Sequence, residues 1–227
     1  MKIGIVIADI DEFIPAIETF RNTDGFSDFT ERDFYGYKAV EFRANAHNVT
    51  AVLCGIGKVN AATVTAYLIA NGSESIMNIG LSGAVSGVGR GDIAVGVEFV
   101  ECDFDLSLLG FEYGQKPSQV NTYKGDEKLI DLALRFQNMK KCKFGTGDFF
   151  LADTETKNKF IELFKINAFD METAAIASVC HFAVVPLLSI RKMSDNADET
   201  ADDNYQDMNE KQDVDCGKIL ALVISAI

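Results

Sequence analysis

Proline occurs three times in the 227 residues and histidine twice, and Lys plus Arg number 21 against 34 Asp plus Glu. Pro15, Pro117 and Pro186 provide little punctuation, and no Pro-rich or Ser/Gly-rich linker divides the chain. One domain over residues 1–227 is therefore expected. His47 and His181 form no His-x-x-His or Cys/His cluster, which argues against a metal site and against a Ser-His-Asp triad. His181 reads instead as a partner for the C-terminal dipole of a helix. Cys54, Cys102, Cys142, Cys180 and Cys216 lack any C-x-x-C spacing, so they read as buried thiols in a reducing compartment. The apolar start of MKIGIVIADIDEF meets acids after about seven residues, too soon for a secretory leader, and no later run reaches the roughly 18 apolar residues of a membrane span. A cytoplasmic protein without a membrane segment is expected. The formal net charge of −13, unrelieved by any Lys/Arg-rich run, repels phosphate backbones and anionic headgroups and removes nucleic acid and membrane as expected partners.

What the chain does contain is apolar material, 48% of residues, enough for a sizeable core and too much for a disordered chain. Residues 3–8 form a short apolar run that suits a strand buried on both faces, and the acids after it open a helix to about Arg21. From about Asp28 to Gly55, β-branched and aromatic residues separated by turn residues predict two or three antiparallel strands. Val59, Ala62, Ala66, Ile69 and Ala70 recur at helical spacing, and residues 76–81 predict the next buried strand. Residues 93–104 read as extended, and 105–121 as a long connection of the kind usually kept for function. Beyond it the pattern predicts helices over 128–136, 154–165, 171–182 and about 204–227, with strands over 143–151 and 184–193. Alternating strands and helices imply an α/β fold, a mostly parallel sheet with an early antiparallel excursion and helices on both faces. Ligands of such sheets bind beyond the carboxyl ends of the strands.

Charged or glycine-rich stretches fall at those ends: Asp9 to Glu12, Gly80 to Gly91, Phe169 to Glu172, and Ser194 to Asp198. The glycines would let backbone amides approach a ligand, yet the spacing is neither a P-loop nor G-x-G-x-x-G, and plain turn geometry explains it equally. Taken singly, Glu12 and Glu172 read as acids complementing a helix N-terminus. Residues 195–215 hold nine acids and one base, Lys211, without the calcium-loop pattern, so most of that run reads as a solvated face.

Together, MKIGIVIADIDE, CGIGKVNAA, NIGLSGAVSGVGRGD, LGFEYGQKP, GTGDFF, FDMETAAIA and IRKMSDNAD occur in one order along the whole chain. In that combination the sequence resembles the nucleosidases of 5'-methylthioadenosine and S-adenosylhomocysteine, within the purine nucleoside phosphorylase superfamily. The resemblance implies a nucleoside phosphorylase-like fold and hydrolysis of the bond between adenine and a 5'-thio-substituted ribose, with no cofactor and no metal. It assigns Glu12 to activation of water and Asp195 to protonation of the leaving adenine. It places Glu172 on the ribose hydroxyls and Met171 against the sugar, with Phe150 stacked on adenine, Leu151 at its edge and Ser194 supporting Asp195. Ile56, Leu81, Ser82 and Gly83 complete the implied substrate site. A homodimer is implied, in which Leu106, Leu109 and Pro117 close over the other copy's 5' pocket. The sequence departs from the family's commoner pattern at Asp9, Leu81 and Leu109.

N-glycoside cleavage passes through a cationic sugar and a departing purine anion, so three carboxyl groups with different proton affinities suit it without reference to any family. The acidic first loop, Ala8 to Glu12, disfavours a phosphate nucleophile. Two alternatives remain from the residues: phosphate-dependent cleavage by a purine nucleoside phosphorylase, and a non-catalytic purine-nucleoside binding protein.

Overall fold

The computed structural model describes residues 1–210 and 215–227. Its strands are β1 Lys2–Ile7, β2 Phe26–Phe34, β3 Tyr37–Ala44, β4 His47–Leu53, β5 Ser75–Ala84, β6 Ile93–Glu101, β7 Tyr123–Lys124, β8 Lys140–Thr146, β9 Ala168–Asp170 and β10 Leu187–Asp195. The helices are α1 Ile10–Arg21, α2 Lys58–Ala70, α3 Glu127–Phe136, α4 Thr154–Phe164, α5 Thr173–Ala183, α6 Ala201–Glu210 and α7 Asp215–Ala226. All of these strands join one mixed sheet, as the α/β reading expects.

β1 runs parallel to both β4 and β5, so it is interior and must be apolar on both faces. Ile3, Ile5 and Ile7 pack against Phe13, Ile17 and Phe20 of α1 and Leu220 of α7, while Val6 packs with Val64 and Leu68 of α2. Gly4 faces α2, and a Cβ there would lie 2.9 Å from Ile76 Cδ1 and 3.0 Å from Leu68 Cδ1, so glycine lets α2 approach. The early antiparallel excursion is β2 and β3, which extend the sheet beyond β4.

β5 does more than the expected strand over 76–81. It pairs with β10 along one edge, with β1 and then β9 along the other, and β10, β6, β8 and β9 continue the pairing back to β5. The strands therefore close a small barrel beside the open part of the sheet. β8 spans 140–146 rather than 143–151, because its ladder with β6 starts at Lys140 and ends at Thr146, after which the chain turns outward as Gly147 N–H bonds Asp170 O. β10 starts at Leu187, three residues later than expected, since Val184 takes a left-handed conformation (φ 56°) to end α5. The expected final helix over 204–227 is α6 and α7, and residues 211–214 of it lie outside the described residues.

Most described acids of the run from 195 do face solvent, Glu199, Asp202 and Asp203 fully and Asp198, Asp207 and Asp215 in part. Asp195 is buried, Asp198 accepts from Thr200 N–H at 3.0 Å, Asp207 pairs with Arg90, and Asp215 pairs with Lys192 at 2.9 Å. Lys211 and Asp213 lie outside the described residues. His181 sits in the last turn of α5, exposed, with its ring 5.6 Å from that of Tyr123.

Candidate active site

Along the edge of β5 opposite β10, β1 pairs with Ser75 to Asn78 and β9 with Gly83 and Ala84. Between those ladders no strand covers residues 79–82, so backbone groups there are free to meet side chains or ligand. Leu81 N–H points into the gap and donates to Glu12 Oε1 at 2.7 Å. Glu12 is carried there by the first turn of α1, whose start is fixed by Asp9, its carboxylate accepting Asp11 N–H at 2.9 Å.

Gly80 leaves the space these groups need. A Cβ at that position would lie 2.6 Å from Arg191 Nη1 and 2.8 Å from Glu12 Oε2. Oε2 itself is inaccessible and accepts from no protein donor among the described residues. Burial pushes the Glu12 carboxyl up to about 7, against the pull of the Arg191 guanidinium and Leu81 N–H, and the Glu172 and Asp9 charges add to the rise.

Arg191 is the hub of the site. It lies on β10, 1% exposed, where its Nη1 donates to Leu81 O at 3.0 Å and its Nη2 to Thr173 Oγ1 at 2.9 Å and Glu172 Oε2 at 3.4 Å. Burial works against its charge, but Asp170, Glu172 and Glu12 outweigh that and hold the guanidinium above its ordinary value. Glu172 Oε1 accepts Gly57 N–H at 3.0 Å, tying the start of α2 to the site. Burial raises the Glu172 carboxyl above its usual range, while Arg191 pulls it down and Asp170 pushes it further up. Glu172 is not in the first turn of α5 but at its N-cap, and the capping acceptor is Asp170, which takes Thr173 N–H at 2.9 Å and Glu172 N–H at 3.1 Å. Asp170 also accepts from the hydroxyls of Thr146, at 2.7 Å, and Thr173.

At the other end stands Asp195, at the C-terminus of β10 beyond a bulge. Its Oδ2 accepts from Ser194 Oγ at 2.6 Å and its Oδ1 from Ala197 N–H at 2.7 Å. Burial raises its carboxyl above the usual range, and these two donors restrain the rise. Ser194 Oγ also lies 3.3 Å from Ser82 O, so its proton has a second acceptor. Aromatic rings complete the walls: Phe149 and Phe169 have centroids 5.1 Å apart, and Phe150 meets Tyr205 edge-on at 5.7 Å. The cavity, open on one side, is about 380 Å³, within the size range of small-molecule sites.

The phosphorylase superfamily matches over residues 2–227. The chain belongs to that superfamily. A 5'-methylthioadenosine/S-adenosylhomocysteine nucleosidase of Exiguobacterium is 31% identical over 98% of this chain and 97% of its own. An aminodeoxyfutalosine nucleosidase of Campylobacter jejuni is 29% identical over 91% of each. The crystal structure of the Helicobacter pylori 5'-methylthioadenosine/S-adenosylhomocysteine nucleosidase with butyl-thio-DADMe-Immucillin-A, 28% identical, superimposes with a TM-score of 0.94 over 100% of this chain and 99% of that one.

Within this superfamily fold, Glu12, Asp195, Met171, Glu172, Phe150, Leu151, Ser194, Ile56, Leu81, Ser82 and Gly83 all line the one cavity. Leu106, Leu109 and Pro117 do not. They belong to the 105–121 connection, where Ser107–Leu109 forms a 3-10 turn and Leu109 is 71% exposed. Sequence reasoning missed Arg191, Asp170, Tyr205 and Asp202 as site residues. A signal for Arg191 existed: of the adjacent Arg191 and Lys192 in an apolar strand covered on both faces, a cation turned inward must find buried carboxylates.

Proposed function

We propose that this chain, acting over residues 1–227 as one unit, hydrolyses the N-glycosidic bond of 5'-methylthioadenosine and S-adenosylhomocysteine to adenine and a 5'-thio-substituted ribose. The observation that carries the reading is a single cavity whose lining carboxyl groups include Glu12, Glu172 and Asp195, each held in a different electrostatic setting. Its superfamily membership and the nucleosidases similar to it along their full length support the same chemistry.

In this mechanism water attacks C1' as Glu12 takes its proton. A base poised near neutrality suits that step. The bond from C1' to the purine breaks with its electrons going to adenine, which gains a proton at ring nitrogen 7 from Asp195. The raised proton affinity of Asp195 fits an acid, and Ser194 supports either protonation state because its hydroxyl can turn from Asp195 to Ser82 O. Glu172, hydrogen-bonded by Arg191 and Gly57, holds the ribose hydroxyls and steadies the developing positive charge. Met171 packs against the sugar, Phe150 stacks on the base, and Leu151 meets its edge. Ile56, Leu81, Ser82 and Gly83 shape the remaining wall.

Water rather than phosphate is the nucleophile in this reading. Among the described residues Arg191 is the sole Lys or Arg lining the cavity, and its hydrogen bonds go to Leu81, Thr173 and Glu172. The active form is a homodimer in which Leu106, Leu109 and Pro117 of one copy cover the 5' end of the other's cavity. The apolar tip of that connection, with Leu108 fully exposed, favours such burial. The cytoplasm suits the five buried thiols, and no helix among the described residues is long and apolar enough to cross a membrane.

The test is incubation with 5'-methylthioadenosine with and without phosphate, following adenine by chromatography. Equal release in both supports hydrolysis. Release only with phosphate makes it a phosphorylase, and tight nucleoside binding without release makes it a binding protein.

A further inference from the structure

With the base assigned to Asp195 and the ribose hydroxyls to Glu172, the wall left for the 5' carbon lies on the Glu12 side, built by Asp9 at the head of α1 and by Asp202 and Tyr205 of α6. Asp9 Oδ1 is occupied by Asp11 N–H at 2.9 Å, whereas Oδ2 has only the Tyr205 hydroxyl at 3.5 Å, the outer limit of a hydrogen bond. Tyr205 remains a donor there, because burial and the charges of Glu12 and Asp9 push its phenol up. Among the described residues the one cation lining the cavity, Arg191, is buried and engaged with Leu81 and Thr173. The loop residues assigned to the second copy's side, Leu106, Leu109 and Pro117, carry no charge.

We propose that Asp9 determines which 5' substituents this site accepts, favouring a hydrogen-bond donor or a positive charge at the first atom beyond C5' and refusing a carboxylate there. The inference rests on the nucleosidase reading and deepens it. A 5'-ammonium or 5'-hydroxyl would complete the coordination of Oδ2, which an alkylthio group cannot do. A carboxylate in the same place would meet Asp9 with no cation to offset it and would lose its water as well. Charge selection of this kind separates adenine nucleosides with a neutral or cationic group next to C5' from those with a carboxylate at that position.

The experiment compares kcat/KM for adenine release from 5'-amino-5'-deoxyadenosine, 5'-methylthioadenosine and adenosine-5'-carboxylic acid in the wild type and in Asp9→Asn. Asparagine caps a helix as well as aspartate, so the variant keeps the start of α1 and removes only the charge. The wild type is expected to prefer the amino nucleoside to the carboxylate by roughly 100-fold or more, the order set by unit charges a few ångströms apart near a protein surface, and Asp9→Asn to shrink that ratio by about tenfold. A merely structural role for Asp9 would slow all three substrates alike. A wild-type ratio within threefold, or one that Asp9→Asn leaves unchanged while methylthioadenosine is still cleaved, overturns the proposal alone. Failure to release adenine from any of the three nucleosides overturns the nucleosidase reading and this proposal with it.

Discussion

Replacing Glu12 by Gln is expected to stop adenine release and at the same time to make the protein more stable, but only at high pH. The carboxyl rises from its ordinary 4.5 to about 7 on folding, chiefly because burial strips its charged form of water. A raised pKa stabilises the fold fully below pH 4.5, and that stabilisation is lost as pH climbs through 7. That rise is worth about 3 kcal/mol in all, of which about 1 is already lost by pH 5. Between pH 5 and pH 8 the wild type should therefore lose about 2–3 kcal/mol relative to Glu12→Gln, or roughly 5–10 °C in Tm for a chain of this length. Glutamine keeps the acceptor for Leu81 N–H, and any constant cost of placing its amide beside Arg191 cancels when the two pH values are compared. Urea unfolding of both proteins at pH 5, 6, 7 and 8 measures the gap. A gap that changes by less than about 1 kcal/mol, or that grows in favour of the wild type as pH rises, refutes the assignment of Glu12 as a buried base poised near neutrality.

Arg191→Met should destabilise the protein by about 3–5 kcal/mol, because it leaves Asp170 and Glu172 buried without their guanidinium, and it should move the acid limb of the pH–rate profile upward by removing the cation that holds Glu12 down. Unchanged urea midpoints would show that those carboxylates do not depend on it. In sedimentation at micromolar concentration the protein should run at twice its 24.8 kDa chain mass, and Leu109→Asp should shift it toward monomer. Only monomer in the wild type would remove the second copy from the site.

Much of the fold can be read along the chain, because a strand covered on both faces must be apolar on both, as residues 3–7 and 187–190 are. The acids that interrupt such runs therefore mark strand ends, and it is the resemblance to the nucleosidases that singles out Glu12, Glu172 and Asp195 among them. Element limits were less legible. Where β8 stops and β10 starts depends on ladders with β6 and β5, partners distant in sequence. The short β9 and the closure of the barrel through β5 rest on the same kind of pairing.

The chemistry divides in the same way. The sequence by itself determined which residue types were present, a surplus of carboxylates at strand ends and almost no histidine, and with the order of its motifs the family to which the chain belongs. Only the tertiary structure decided what those carboxylates are: it buried Glu12 against Leu81, put Arg191 between Glu12 and Glu172, and gave Asp195 the Ser194 hydroxyl. The reason is that proton affinity is set by desolvation and by charges a few ångströms away, and in this chain those charges come from residues as far apart as 12, 172 and 191.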